Sequence, residues 1–239
     1  MTRPLSSDDI AFARSLVIDE DAHLIAFNKP SGLAVQGGSG VTLSLENLLA
    51  AFAKSNGKRP RLVHRLDRET SGVIVAARTK PAAAFFSEAF SKRDVRKTYL
   101  AVVCGGSPAP ADGEIALALK KSARRGLDIM EVAADGQAAL TRYRTLSATS
   151  EAALLELRPE TGRMHQLRAH IAAIGRPIAG DGKYGGLYRI GGTDIPRLLL
   201  HAAALDVPRM DGGRKTVVAP PPPEFAATAR SLGLETPAG

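Results

Sequence analysis

The chain has no tryptophan, one cysteine, few aromatic residues (5%) and no unbroken apolar run long enough to form a membrane helix, which needs about 18 residues. The lone Cys104 excludes an intramolecular disulfide and any zinc site built on a cysteine cluster. It follows the apolar run Tyr99-Leu100-Ala101-Val102-Val103, so it reads as a buried structural thiol in a protein of the reducing cytoplasm. The opening residues Met1 to Asp9 lack the apolar core of a secretory signal. Ser71 lacks the Gly-x-Ser-x-Gly elbow of a serine hydrolase nucleophile. The scarcity of aromatics leaves no platform for a sugar, which weakens any reading of Asp67 and Glu69 as a glycosidase pair.

Acidic residues are also short. There are 24 Asp and Glu against 32 Lys and Arg, a formal charge of +8, with a pI near 9.9. The surplus is clustered: Lys58, Arg59, Arg61, Arg65 and Arg68 form one group, Lys92, Arg93, Arg96 and Lys97 a second, Lys120, Lys121, Arg124 and Arg125 a third. None of the groups lies on a long amphipathic helix with bulky apolar residues opposite, which argues against a membrane-surface helix. Basic loops around a folded core suit a surface that tracks phosphates, although any one cluster also suits a solvated face. With 239 residues and 44% hydrophobic content the chain is globular and can bury a sizeable core. It has no internal repeat and no long linker.

The element pattern is mixed. Ser15 to Ile18 and His23 to Phe27 read as short strands around the acidic turn Asp19-Glu20-Asp21. Gly37 to Gly40 is a flexible loop, and a helix starting at Thr42 or Ser44 carries Leu45, Leu48, Leu49 and Phe52 on one face. Val73 to Ala76 is an apolar strand. Pro81 opens a helix with Ala82, Phe85, Phe86 and Ala89 on its apolar face, and Arg96 to Cys104 is the next strand. Pro108 to Gly136 reads as short strands with a mobile basic loop, and Ala139 to Leu146 with Ala152 to Leu157 as a strand pair. A helix is expected over Arg163 to Ile174, closed by Gly175, with late strands at Leu198 to Val207 and Lys215 to Val218. Pro220 to Pro223 reads as an extended edge. Strands outnumber helices and most connections are hairpin-like. The fold class is therefore α+β, a mixed, largely antiparallel sheet flanked by helices.

Two segments carry most of the chemistry. In His64-Arg65-Leu66-Asp67-Arg68-Glu69-Thr70-Ser71-Gly72, a carboxylate sits between two arginines and before a small-residue turn. A carboxylate beside a guanidinium stays ionised, the state it needs to act as a nucleophile or base. An N-capping Asp in a salt-bridged turn gives the same local pattern. In Thr161-Gly162-Arg163-Met164-His165-Gln166-Leu167-Arg168-Ala169-His170, helical spacing puts Met164, Leu167, Ile171 and Ile174 on a core stripe and Arg163, Gln166 and His170 beside it. An arginine at a helix start opposes the macrodipole, so Arg163 is expected to be there for another reason, such as a carboxylate partner. Five residues apart on a helix, His165 and His170 point about 140° apart, which does not make a zinc pair. Gly180-Asp181-Gly182-Lys183-Tyr184-Gly185 satisfies Gly-x-Gly-x-x-Gly, yet no strand precedes it and Gly186, Gly191, Gly192 and Pro196 forbid the helix a dinucleotide site requires.

At every fixed position the first segment resembles the His-Arg-Leu-Asp-x-x-Thr-Ser-Gly motif of the RluA-type pseudouridine synthases, and the second their Thr-Gly-Arg-x-His-Gln-Leu-Arg-x-His motif. Arg96-Lys97-Thr98-Tyr99, the Gly180 to Gly185 block, Leu198 to Ala202 and Ala219 to Phe225 also look like blocks of that family, so the resemblance runs from Leu16 to Phe225. Val207 and Val218 stand where aromatics are common, a departure that touches no catalytic role.

The resemblance implies the pseudouridine synthase catalytic fold over residues 16–228, with an N-terminal extension (1–15) and a C-terminal tail (229–239), as a stand-alone domain. It implies isomerisation of uridine in structured RNA, rRNA or tRNA, by a monomer that needs neither cofactor nor metal and touches no membrane. Asp67, Tyr99 and Arg163 would be catalytic, with Arg163 close to Asp67 and Tyr99 against the target base. His64, Arg65, Lys97, His165, Gln166 and Arg168 would contact substrate RNA. Attack on the sugar by Asp67 and deprotonation of it are both compatible with the motif. The rival is a non-catalytic RNA-binding protein on the same fold, which would need no combination of Asp67, Tyr99 and Arg163.

Overall fold

The computed structural model describes residues 4–38, 40–124 and 126–237; Ser39 of the glycine-rich loop and Arg125 of the third basic cluster lie outside the described residues. In chain order the first elements are α1 (Ser7–Ser15), β1 (Val17–Glu20), β2 (Leu24–Lys29), α2 (Leu45–Leu48), β3 (Arg61–Leu62), β4 (Ser71–Ala77), α3 (Lys80–Ser91) and β5 (Arg96–Cys104). Next come β6 (Asp112–Ile115), β7 (Leu119–Arg124), β8 (Leu127–Val132), β9 (Thr141–Ala148), β10 (Ala152–Pro159) and α4 (Gln166–Ala173). The last are β11 (Arg189–Ile190), β12 (Thr193–Asp194), β13 (Leu200–Pro208), β14 (Arg214–Val218) and α5 (Pro223–Ser231). The class is the expected one, α+β with largely antiparallel pairing. The chain divides into two compact units, residues 1–96 with 202–220 and residues 97–201 with 221–239.

In the first unit the strands run β1-β2-β4-β13, with β3 added to β4 and β14 to β13. Every residue of β4 is buried, as a run of β-branched and small apolar residues requires. Helix α3 starts where Thr79 caps it and Pro81 fills its first turn, and it lays Ala82, Phe86 and Ala89 against Val73, Val75, Leu205 and Val207. The short helix α2 is capped by Ser44 and Asn47 in a reciprocal box and runs into a 3₁₀ turn, Leu49–Phe52, whose Phe52 meets Phe27 edge-on at 5.4 Å.

In the second unit the order is β5-β10-β9-β6, antiparallel throughout, with Tyr99 opposite Leu157 and Ala101 opposite Leu155. Helix α4 packs Leu167 and Ile171 onto Ala101, Val103, Leu155 and Leu157. Gly175 closes it at φ +73, the left-handed turn that favours glycine after a helix. Cys104 is buried, as expected, and burial pushes its thiol pKa up despite a hydrogen bond from Leu187 N–H.

Several expectations need correction. The short strands expected from Pro108 to Gly136 are present as β6, β7 and β8, but the basic residues lie on a strand and not on a loop: β7 and β8 form a six-pair hairpin whose cations face acids, Lys120 to Asp135, Lys121 to Asp128 and Arg124 to Glu131. Helix α4 begins at Gln166 and not at Arg163, because His165 holds a left-handed φ of +48 that breaks the helix before it. The proline run leads into α5, with Pro223 in its first turn, and α1 is a helix where only a strand at Ser15 was expected. Among the described residues no helix is long and apolar enough to cross a membrane.

Candidate active site

The first unit carries Asp67 on the irregular segment between β3 and β4, and polar bonds to backbone fix that segment. Lys29, at the end of β2, is fully buried and donates to three carbonyls: Pro30 at 2.9 Å, Leu33 at 2.8 Å and Arg68 at 3.0 Å. The Arg68 carbonyl also accepts from Gly32 N–H, Arg68 Nε returns a bond to the Gly32 carbonyl, and Ser31 Oγ donates to Glu69. Thus the turn at residues 30–33 and the backbone on the C-terminal side of Asp67 are clasped together. A buried ammonium is costly unless its donors are satisfied, and an array of carbonyls is one way to satisfy them.

On the N-terminal side, His64 does structural work. Its Nε2 accepts from Val75 N–H at 2.9 Å, and its ring stacks on Phe90 with centroids 4.3 Å apart. The ring is then neutral, with its proton on Nδ1. Arg65 is exposed, Leu66 is buried and Asp67 is partly buried. Gly72 ends the motif at φ +113, paired with Lys29 across the β2–β4 ladder.

The second unit gathers Lys97, Tyr99 and the Arg163 segment. Lys97 and Tyr99 alternate on β5 with Ala101 and Val103, so all four share the face that α4 covers. Lys97 Nζ lies 3.7 Å from where a Cβ on Gly162 would stand, one residue from Arg163. Both Lys97 and Tyr99 are partly buried.

Arg163 is partly buried in the loop before α4, its Nε donating to the Ala138 carbonyl at 3.3 Å. Gln166 shapes that loop. Its Oε1 accepts from Arg163 N–H at 3.0 Å and from the Thr161 hydroxyl at 2.7 Å, while its Nε2 donates to Leu140 C=O and to Thr141 Oγ1. All four hydrogen-bonding positions of the amide are filled. The Thr141 hydroxyl, having accepted from Gln166, donates to His170 Nδ1, and His170 Nε2–H reaches Leu117 C=O. Burial lowers the His170 pKa and keeps the ring neutral.

Two residues expected to touch RNA are therefore internal: Gln166, the hub of this network, and Arg168, which is 3% exposed and pairs with Asp181 through Nε at 2.7 Å and Nη2 at 2.8 Å. Both are held by groups distant in sequence, as buried polar atoms must be. His165 is partly buried, its Nδ1 3.0 Å from Tyr184 Oη. Asp67 belongs to the first unit; Tyr99 and Arg163 belong to the second. Sequence reasoning missed Lys29, although its place between an apolar strand and a Pro-Ser-Gly turn was a signal, and it gave no task to Thr141, Thr161, Asp181 or Tyr184.

Within its own unit each segment is held by hydrogen bonds, that of Asp67 through Lys29, Ser31 and Arg68 and that of Arg163 through Gln166. The model of the RNA pseudouridylate synthase family matches residues 23–173. The chain belongs to that family, a family of RNA-modifying enzymes. It is 34% identical to the mitochondrial pseudouridylate synthase RPUSD4 of Xenopus tropicalis over 94% of this chain and 82% of that protein. It is 43% identical to ribosomal large subunit pseudouridine synthase C of Rickettsia bellii over 71% of this chain and 56% of that one. The chain thus spans little more than half of that relative. The solved structure of human RNA pseudouridylate synthase domain containing 4 superposes with a TM-score of 0.83 at 30% identity, covering 97% of this chain and 99% of that one.

Proposed function

We propose that this protein converts a uridine of structured RNA to pseudouridine, with residues 16–228 as the catalytic domain. The observation that carries the reading is that the family match over residues 23–173 contains Asp67, Tyr99 and Arg163 together. The target uridine is flipped out of its stack, since the reacting atoms are inaccessible inside a helix. Asp67 promotes cleavage of the glycosidic bond, the base turns, and its carbon 5 joins the sugar. Arg163 is the second catalytic residue of the reading, a planar guanidinium that is always charged and suits a site handling an anion. Tyr99 covers the base and takes part in removing the carbon-5 proton; stacking on its ring contributes about 1–3 kcal/mol, which offsets much of the unstacking. Arg65, exposed beside the Asp67 loop, contacts phosphate or fills the vacated stack.

Ribosomal RNA is favoured over tRNA because the names of several relatives specify the large ribosomal subunit. The single buried thiol suits a reducing compartment, and the cytoplasm is part of the reading. Release of tritium from RNA labelled at carbon 5 of uridine tests the proposal. Wild type should release tritium in step with pseudouridine formation, and Asp67→Asn should bind the RNA yet form none, because an amide is a poor nucleophile and base. Binding without release by the wild type would leave the non-catalytic RNA binder as the answer.

A further inference from the structure

Tyr184 stands where three parts of the second unit meet. Its hydroxyl accepts from Met130 N–H of β8 at 2.7 Å and lies 3.0 Å from His165 Nδ1. The hydroxyl and His165 Nδ1 thus share one hydrogen bond, whose donor is set by the tautomer of the ring. The Tyr184 ring meets the His165 ring edge-on at 5.8 Å and covers the Arg168 guanidinium at 5.3 Å. Arg168 in turn grips Asp181, whose Oδ1 accepts from the backbone N–H of Tyr184 itself at 3.3 Å. The side chain is therefore anchored at its backbone, along its ring and at its tip.

That much bracing has a local reason. His165 sits at φ +48, ψ +19, left-handed for a residue with a side chain, and such conformations persist only where the surroundings hold them. The turn falls between Arg163 and the first residue of α4. Gln166 holds the Arg163 side through Arg163 N–H, and Tyr184 holds His165 itself. Were His165 to relax to the right-handed region, α4 would gain residues at its start and Arg163 would swing to a new direction. We infer that the Tyr184 hydroxyl is a positioning group: by keeping His165 left-handed it sets the direction of Arg163, and it is needed for turnover but not for RNA binding. The inference rests on Arg163 being catalytic, as proposed above.

The test uses Tyr184→Phe, which removes one oxygen, together with Arg163→Ala and the double variant, each assayed for single-turnover rate, RNA affinity and melting temperature. Tyr184→Phe should slow pseudouridine formation by on the order of tenfold to a hundredfold, as misplacement of a catalytic group does. Affinity should stay within about twofold, a split that marks an interaction used only in the reaction. The double variant should be no slower than Arg163→Ala alone, since the hydroxyl acts through Arg163. A wild-type rate in Tyr184→Phe, a loss confined to affinity, or a double variant slower than Arg163→Ala would each overturn the inference. If Arg163→Ala is slow while Tyr184→Phe is not, only the inference falls; if Arg163→Ala turns over normally, the catalytic reading of Arg163 falls with it.

Discussion

Gly72 closes the Asp67 motif, and the structure gives it a task that a single methyl group tests. At φ +113 its backbone is in a region that side chains rarely adopt, and a Cβ there would stand 2.1 Å from Ala202 O, 2.6 Å from Ala202 N and 2.7 Å from Ala202 C. Every one of these neighbours is backbone, so relief requires β4 or the start of the Ala202 segment to move. The conformation itself costs about 1–3 kcal/mol for a non-glycine residue, and forcing an extra carbon into a closed contact costs about 1–3 kcal/mol more. Gly72→Ala should therefore lose about 2–6 kcal/mol, and at roughly 2–4 °C per kcal/mol for a chain of this size its melting midpoint should fall on the order of 10 °C. Gly57 isolates the two contributions, because it also has a positive φ, +76, but nothing lies within 4 Å of its would-be Cβ. Gly57→Ala should show the backbone cost alone. Thermal melting followed by circular dichroism on both variants gives the comparison. If Gly72→Ala melts within about 2 °C of Gly57→Ala, the close approach to Ala202 does not constrain the motif and the reasoning is refuted.

Other consequences can be measured separately. Lys29→Met strips the carbonyls of Pro30, Leu33 and Arg68 of a charged donor worth about 1.5–3 kcal/mol per bond. It should lower both the melting midpoint and the turnover of the protein that remains folded, and a variant with wild-type values of both would show that the clasp does not matter. His170 is held below the ordinary histidine pKa of about 6.5 by burial, so the native state binds fewer protons than the unfolded chain below that pH. Its contribution is complete above about pH 6.5 and is lost as the pH falls; urea midpoints at pH 8 and pH 5 should diverge less in His170→Gln than in wild type, and equal divergence would count against the buried neutral ring. RNA affinity should fall about a thousandfold between 50 and 200 mM salt if some six phosphates are contacted, whereas a flat profile would argue against phosphate tracking.

What could be read from the sequence follows from what each element depends on. Strands β4, β5 and β10 were legible because their apolar runs are continuous, and α3 because Thr79 and Pro81 mark its start. Helix α1 carries a Ser6–Asp9 capping box that was visible in principle, but Ile10 and Phe12 are exposed and no apolar stripe announces the helix. Short strands are legible between Pro108 and Gly136, but the pairing of β7 with β8 is not, because its outward residues pair by charge across the strands, which hydrophobic spacing does not record. The left-handed turn at His165 left no trace, since neither glycine nor asparagine occupies the position. At the site, the identities of Asp67, Tyr99 and Arg163 came from motif resemblance. The neighbours that fix their loops did not, because Lys29 meets Arg68 and Gln166 meets Thr141 only after folding.

The polar residues of the two motifs differ in what their hydrogen bonds hold. His64, Gln166, Arg168 and His170 are partly or fully buried; His64 accepts from Val75 N–H, Gln166 accepts from Arg163 N–H and donates to Leu140 C=O, Arg168 pairs with the Asp181 carboxylate and His170 bonds the Leu117 carbonyl. A buried polar group whose partners are all supplied by the fold holds a shape, and removing it leaves those partners unsatisfied. Arg65 is exposed, and Asp67, Lys97, Tyr99 and Arg163 are partly buried, as His64 is. Motif polarity alone would have assigned both groups to RNA. Within each unit the hydrogen bonds single out the residues that hold the scaffold, a distinction that motif polarity does not make.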